Sequence, residues 1–256
     1  MQEQATDALV ERAAELIRQA VHVVALTGAG ISTESGIPDF RGPEGVWTKN
    51  PEAERQATLQ NYMADREVRV RSWKNRASSP FMTAEPNAGH FALTELHAKG
   101  KLETLVTQNI DGLHEKAGFP VSDLIEIHGN VREYVCMRCG HRGPMSDVLA
   151  RVEAGEDDPP CPICGGILKS ATISFGQSLV PEDLQRAQFA AANADLMLAI
   201  GTTLGVYPIA EMAPIALRAG AKLIILNAQE TPFDDYATVV IREQLGTVLP
   251  AIVALV

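Results

Sequence analysis

The only four cysteines of this 256-residue chain stand in two C-x-x-C pairs, Cys136 with Cys139 and Cys161 with Cys164. Each pair can form a tight turn that aims two thiolates at one point. Two such turns supply a tetrahedron of four sulfurs, which suits zinc. Four protein ligands leave no open coordination position, so we predict a structural metal. A redox role for one C-x-x-C pair is the alternative.

A second pattern that could do chemistry lies near the N-terminus. The apolar run VHVVAL (residues 21–26) leads into the loop GAGIST (residues 28–33). Glycines allow a backbone to approach a pyrophosphate, and the N–H groups that open a following helix can bind phosphate. No acidic strand end follows about 20 residues later, where dinucleotide-binding folds hold the ribose. The ribose must therefore be held elsewhere, which disfavours a simple hydride-transfer dehydrogenase.

The elements that must position these residues alternate along the chain. Short buried strands are predicted at 21–26, 102–107, 124–127, 196–200 and 222–226, and helices at 7–20, 87–99, 181–193 and 209–219. Strands that alternate with helices predict an α/β fold in which a parallel sheet is covered on both faces.

Two segments interrupt this alternation. Residues of about 42–85 are polar and lack strands, with a helical pattern over 59–76, and residues of about 131–169 contain all four cysteines. We interpret both as insertions that form a smaller lobe within a single domain, residues 1–256. The main part of the domain then comprises about 1–41, 86–130 and 170–256.

Charge and hydropathy exclude several classes of function. The net charge is −10, the pI is about 5.1, and no dense run of Lys or Arg is present, so direct nucleic-acid binding is not expected. An acidic surface would suit a Lys-bearing peptide, or it simply keeps the protein soluble. The acidic N-terminus is unlike a signal peptide, and no apolar run approaches the roughly 20 residues needed to span a bilayer. A cytoplasmic location without membrane contact is the expectation.

The loop and its continuation, GAGISTESGIPDFRG (residues 28–42), closely resemble the signature loop of the sirtuins. Further blocks of that family follow in order: TQNIDGLH (107–114), His128-Gly-Asn130, the cysteine tetrad, Phe175-Gly176, Gly201-Thr-Thr203 and Asn227. The resemblance spans residues 21 to about 250. It implies a Rossmann-like domain with a small lobe made of a zinc module and a helical insertion. It also implies NAD-dependent removal of acyl groups from protein lysines, with nicotinamide and O-acyl-ADP-ribose as products.

The resemblance also implies roles for individual residues. His128 is the expected catalytic base, because histidine titrates near neutral pH, and Asn109 acts with it. NAD contacts are expected from Gly28, Ala29, Gly30, Ser32, Ile37, Pro38, Asp39, Phe40, Arg41, Gln108, Asn109, Ile110, Asp111, Gly201, Thr202, Thr203, Asn227, Glu243 and Gln244. An acyl-lysine peptide should add as a strand between Phe175-Gly176-Gln177-Ser178 and Gly205-Val206-Tyr207. The cysteines Cys136, Cys139, Cys161 and Cys164 are the expected ligands of one structural zinc ion.

The chain departs from the family at several positions. Sirtuins that prefer acidic acyl chains carry a Tyr-x-x-Arg pair, whereas this chain has Tyr62 followed by Asp65 at that spacing. Because Asp65 would repel a carboxylate, a neutral acyl chain, most simply acetyl, is expected. His22, His90, His97 and His114 are expected to be structural, and His141 exposed. Two other functions stay open: an NAD-dependent mono-ADP-ribosyltransferase or NAD hydrolase, and an NAD-sensing interaction module without turnover.

Overall fold

The computed structural model describes residues 2–39, 42, 45–49 and 58–256. Its larger sheet has six parallel strands in the order β3-β2-β1-β7-β8-β9, and its smaller sheet has three antiparallel strands in the order β5-β4-β6. The strands are β1 Val23–Thr27, β2 Thr104–Thr107, β3 Leu124–Glu126, β4 Gly129–Cys136, β5 Arg142–Pro144, β6 Leu168–Thr172, β7 Leu196–Ile200, β8 Lys222–Leu226 and β9 Val239–Ile241.

Helices surround both sheets. Within the described residues, the α-helices are α1 Gln2–Gln19, α2 Val46–Lys49, α3 Leu59–Ala64, α4 Arg66–Ala77, α5 Ala88–Ala98, α6 Leu113–Lys116, α7 Met145–Glu153, α8 Pro181–Asn193, α9 Met212–Arg218 and α10 Leu245–Ala254. In that part of the chain no helix combines the length and apolar character that a membrane crossing requires.

The large sheet is parallel because its strands are apolar on both faces. All five residues of β1 and all five of β7 are buried. One face of the sheet packs against α1, α5 and α10, and the other packs against α8 and α9. Strand order reverses direction between β1 and β7, and in such sheets ligands bind beyond the carboxyl ends of the strands at that point. The predicted α/β class with a covered parallel sheet is confirmed.

The smaller sheet has its own core. Trp73 of α4 is buried there against Tyr134 and Cys136 of β4, Met145 of α7 and Leu168 of β6. The indole ring of Trp73 therefore packs α4 against the segment that contains the cysteines.

Several element boundaries differ from the prediction. Strand β1 starts at Val23, because the N–H groups of Val21 and His22 donate to the Asp195 carboxylate. The pattern over 59–76 divides into two helices at Asp65, which caps the second of them through its side chain. Strand β9 was not predicted, since three residues are too few for periodicity to reveal.

Candidate active site

Two glycine loops cross at the carboxyl ends of β1 and β7. A Cβ on Gly28 would lie 2.7 Å from the carbonyl oxygen of Gly201, and one on Gly30 would lie 2.7 Å from the Gly201 Cα. Gly201 has a φ of +61°, and a Cβ there would lie 2.5 Å from the amide nitrogen of Ile31. The glycines are thus required by the packing of one loop on the other, in addition to any approach of a ligand. The segment after Gly28 is a 3-10 helix, Ala29–Ser35, where the sequence suggested an ordinary helix start.

A cavity of about 1230 Å³ opens above this crossing. Its wall contains every described residue of the predicted site apart from the cysteines and Gly205: Gly28, Ala29, Gly30, Ser32, Ile37, Pro38, Asp39, Gln108, Asn109, Ile110, Asp111, His128, Phe175, Gly176, Gln177, Gly201, Thr202, Thr203, Val206, Asn227, Glu243 and Gln244. Phe40 and Arg41 lie outside the described residues. Residues far apart in the chain therefore meet in one space large enough for a dinucleotide.

His128 follows β3 and is held by the neighbouring loop. Its Nδ1 lies 2.9 Å from the carbonyl oxygen of Gln108. A carbonyl can only accept, so we assign the ring proton to Nδ1, which leaves the lone pair on Nε2. Burial lowers the pKa of His128, and the hydrogen bond to Gln108 opposes that shift. A half-buried neutral imidazole with a free Nε2 is suited to act as a general base.

A hydrogen-bonded chain of polar groups lies beside the glycine crossing. The Asn109 amide donates to the Gly28 carbonyl and to Ser32 Oγ, both at 3.1 Å. Ser32 Oγ donates to Asp111 Oδ2 at 2.7 Å, and Asp111 Oδ1 accepts from the Leu113 amide at 3.0 Å. Burial raises the pKa of Asp111, against the effect of these donors. These hydrogen bonds fix the side chains of Asn109 and Asp111 in the cavity wall without a bound ligand.

The far end of the cavity is organised by hydrogen bonds from two long polar side chains. Gln108 donates to Thr202 Oγ1 at 2.9 Å, which ties the β2 end to the Gly201 loop. Arg242 donates to the carbonyls of Asn227 and Gln229 at 2.8 and 2.6 Å, and its guanidinium also contacts Asp234. Arg242 therefore holds the loop that carries Asn227.

The segment expected to pair with a peptide is a turn in this structure. The Gln177 amide donates to the Ser174 carbonyl at 3.0 Å, and Gly176 between them has a φ of +77°. The Phe175 carbonyl already accepts from the Leu59 amide at 2.9 Å. One side of the predicted edge is thus occupied by the start of α3, which leaves only its other side for a peptide.

The wall formed by α4 and β6 carries positive charge. Arg71, Arg76 and Lys169 line the cavity there. Burial, together with the charge of Arg76, lowers the pKa of Lys169 to about 8. No carboxylate among the described residues pairs with Arg76. For Arg71 and Arg76, a basic residue on a polar helix is the only sequence signal, and exposed helices share it.

One expectation for the helical segment is wrong, namely that Asp65 faces the acyl chain. Tyr62 donates its hydroxyl to the Leu168 carbonyl at 2.8 Å and is buried, so it anchors β6. Asp65 is exposed and caps α4 by accepting from the Glu67 amide at 2.8 Å, and it does not line the cavity. Its charge therefore gives no reason for a neutral acyl preference.

The remaining histidines divide between buried and surface positions. His90 caps α5, and its ring lies 4.8 Å from that of His114, which hydrogen-bonds Thr27. His22 and His97 pair with carboxylates. His141 is half-buried and shares a 3.3 Å hydrogen bond with the Tyr134 hydroxyl, so the expected exposed position is wrong.

The four cysteine sulfurs lie within 4.8 Å of one another. The Cys136 and Cys164 sulfurs are 3.5 Å apart, and those of Cys139 and Cys161 are 3.8 Å apart. A tetrahedral zinc with bonds of about 2.3 Å requires sulfur separations of about 3.8 Å, so the cluster fits this metal. Gly140 and Gly165 follow the two pairs with φ of +72° and +69°, as tight turns require.

Known proteins resemble this chain over nearly its whole length. The Sir2 family profile matches residues 28–208. NAD-dependent protein deacetylase 2 of Streptomyces coelicolor is 50% identical over 90% of this chain and 95% of its own, and the NAD-dependent protein deacetylase of Sulfolobus acidocaldarius is 44% identical over 96% of each. A solved Sir2 variant with a deacetylated p53 peptide and 3′-O-acetyl-ADP-ribose matches with a TM-score of 0.87, 37% identity and coverage of 94% of this chain and 96% of that one.

These findings agree with the resemblance carried by the glycine loop, the His128 block and the cysteine tetrad. The matched residues include the loop crossing, the Asn109–Asp111 chain, His128 and all four cysteines. The chain belongs to the Sir2 family.

Proposed function

We propose that the chain is an NAD-dependent protein lysine deacetylase. The observation that carries this proposal is His128, a neutral base whose free Nε2 stands in the same cavity as the crossed glycine loops and the Asn109–Asp111 chain. Relatives at 50% and 44% identity are named NAD-dependent protein deacetylases.

Two groups of residues, one at each end of the cavity, would bind the two halves of NAD. The nicotinamide end contains Ile110, Asn109 and Asp111, with Gln108 at the adjoining ribose. The adenosine end contains Asn227, Glu243 and Gln244, with Thr202 and Thr203 near the phosphates. Both sets line the one cavity. NAD would supply a ribose carbon that accepts the acyl oxygen once nicotinamide leaves.

His128 has a defined task in this reaction. After nicotinamide has left, a ribose hydroxyl must lose a proton before it can attack the acyl carbon, and Nε2 of His128 accepts that proton. The Gln108 carbonyl fixes the ring through Nδ1, so the accepting nitrogen is the one free to meet the substrate. The half-enclosed cavity restricts competing attack by water.

The acyl-lysine peptide would bind along the side of the Phe175–Gln177 turn that faces away from Leu59, and against Val206. Backbone pairing there would tolerate many peptide sequences. Acetyl is the proposed acyl group, supported by the names of the relatives. The cysteine tetrad would hold one structural Zn²⁺ outside the reacting cavity, since its sulfurs are absent from the cavity wall.

The test is mass spectrometry of the protein with NAD and a panel of acetyl-, propionyl- and succinyl-lysine peptides. We expect free lysine, nicotinamide and O-acetyl-ADP-ribose in equal amounts, with acetyl-lysine turned over faster than succinyl-lysine. His128→Ala should lower turnover at least 10²-fold, while His22→Ala, at an exposed surface pair with Glu103, should not.

Other products would redirect the proposal. ADP-ribose attached to protein, or nicotinamide released without O-acyl-ADP-ribose, would indicate a transferase or hydrolase. Faster turnover of the succinyl peptide would overturn the acyl preference and direct attention to Arg71 and Arg76.

A further inference from the structure

Arg132 lies outside the predicted site, on β4, where the chain passes from the large sheet to the small one. Its guanidinium forms a bidentate pair with Glu126, at 3.0 Å from Nη1 to Oε1 and 2.7 Å from Nη2 to Oε2. Nη2 also lies 2.8 Å from Glu115 of α6. Most surface ion pairs contribute little, but a bidentate pair has a fixed geometry, and this one joins three elements.

The same guanidinium covers the turn that follows Asp111. Gly112 has a φ of +73°, and a Cβ on it would lie 2.1 Å from Arg132 Nη1. The adjacent residue Val131 donates its amide to the Ile110 carbonyl at 2.9 Å. Backbone and side chain of β4 therefore both contact the loop that carries Asp111.

The other partner of Arg132 leads directly to His128. Glu126 ends β3, two residues before His128. Its side chain also accepts from the Asn130 amide at 3.3 Å, and Asn130 accepts from the Arg132 backbone amide at 3.0 Å. Hydrogen bonds among Glu126, Asn130 and Arg132 therefore connect the backbone before His128 to the backbone after it.

We propose that Arg132 is a positioning residue for deacetylation, which fixes the Asp111 turn to the strand that carries His128. Asp111 at the nicotinamide end of the cavity and His128 would both face the same ribose, but they lie on different segments. The Arg132 side chain contacts the turn after Asp111 and the end of the strand that precedes His128. The proposal rests on the proposed function.

The positive charge of Arg132 also acts on the two carboxylates, Asp111 and Glu126, that its contacts bring near. Burial raises the pKa of Asp111, and the charge of Arg132 opposes that rise together with the Leu113 amide and the Ser32 hydroxyl. Burial also raises the pKa of Glu126, which faces Arg132, Asn130 and Glu115. Removing the guanidinium would leave both carboxylates more easily protonated, so loss of activity on the acid side should begin at a higher pH.

The experiment compares Arg132→Leu and Arg132→Lys with a matched control, Arg142→Leu. Arg142 lies on the neighbouring strand β5 and pairs with Glu133 at 2.6 Å, with side chains similarly exposed. Thermal midpoints and zinc content are measured first. Then kcat and KM for NAD are determined between roughly pH 4 and 9, which spans the ordinary pKa values of carboxyl and imidazole groups, and NAD affinity is measured by calorimetry.

We expect Arg132→Leu to lower kcat/KM for NAD by about 10- to 10²-fold, as a displacement of the catalytic groups would, and to move the acid limb of the profile upward. Arg132→Lys should restore the acid limb but not the full rate, because an ammonium cannot pair bidentately. Arg142→Leu should match the native enzyme.

An Arg132→Leu enzyme with native rates and a native pH profile would overturn the proposal. So would a loss of rate shared equally by Arg142→Leu, or a loss explained entirely by unfolding at the assay temperature. Absence of turnover in the native enzyme would instead refute the proposed function, and the effect on NAD affinity would then still report whether Arg132 organises the cavity.

Discussion

At the scale of single residues, the state of His128 decides what the cavity can do. The Gln108 carbonyl selects one tautomer, and burial disfavours the charged ring. Both effects favour a neutral imidazole with an accepting Nε2 at neutral pH. A base that is already neutral needs no proton loss before the reaction begins.

The pH dependence follows from the sign of this shift. Because the pKa of His128 is lowered, the ring stays neutral to a pH below the ordinary value of about 6.5. We therefore expect kcat/KM for an acetyl-lysine peptide to fall on the acid side only below pH ~6.5. An NMR titration of the His128 ring, identified by its absence in His128→Ala, should give the same midpoint. A midpoint at or above the ordinary value would contradict this account.

At this scale, the sequence predicts functional residues where they lie close together in a short motif. The residues of the loop at 28–39 and the cysteine pairs were named from the chain alone, and the structure brings each group together. Sequence reasoning failed for Arg76, Lys169 and Arg132, whose surroundings are made by residues distant in sequence. A lysine or arginine in a polar segment gives no sign of which wall it will face.

At the scale of elements, α4 is the link between the small lobe and the cavity. It is a strongly polar helix that buries Trp73 in the core of the small lobe. It is also held by Arg69, which pairs with Asp158 at 2.9 Å with both side chains largely buried. The same helix also contributes Arg71 and Arg76 to the cavity. Any movement of α4 would therefore reshape the cavity wall.

Truncating Trp73 should destabilise the small lobe. We expect Trp73→Ala to lower the free energy of unfolding by about 3–5 kcal/mol, since the indole is 1% exposed and its removal leaves a cavity. Trp73→Phe should cost less, because the indole Nε1 has no hydrogen-bond partner to lose. Urea denaturation followed by circular dichroism measures both. The control is Phe91→Ala on α5, which is 51% exposed and should change stability by less than about 1 kcal/mol.

Equal losses for Trp73→Ala and Phe91→Ala would show that the packing of α4 against the small sheet contributes no more than a surface contact. The division of the 59–76 pattern into α3 and α4 could have been predicted, because Asp65 is a good helix cap followed two residues later by Glu67. Asp65 caps α4 and lies outside the cavity wall, so it does not face the acyl chain as expected.

At the scale of the whole molecule, the fold has a large part with extensive apolar cores and a small part whose core includes cysteines. Two extensive cores cover the faces of the six-stranded sheet, while a much smaller cluster includes Cys136 and Cys161. Burial acts to raise the pKa of the Cys136 thiol, but hydrogen bonds from the backbone N–H groups of Cys139 and Arg138 and from the Cys164 and Cys139 side chains together lower it to about 6. A thiol that ionises near neutral pH is prepared to bind a metal.

Metal removal should therefore act on the small lobe first. We expect one zinc per chain, and its extraction with a chelator under reducing conditions should lower the thermal midpoint by about 10 °C, as loss of a few kcal/mol does in a protein of this size. Activity should fall with it, because α4 packs on the same core. Differential scanning calorimetry and metal analysis test this, with zinc-saturated chelator as the control. An unchanged midpoint after complete metal loss would mean that the tetrad is not structural.

The α/β class, the parallel sheet and the family followed from the sequence alone. Helix and strand periodicity, the C-x-x-C knuckles and the ordered loop motifs are local patterns, so the chain carries them without reference to its fold. The tertiary structure decided the rest: the contact of Gly201 with Gly30, the turn at Phe175, and the position of Arg132 between Asp111 and Glu126. These depend on contacts between segments far apart in the chain, and their geometry is set only when the two sheets and α4 pack together.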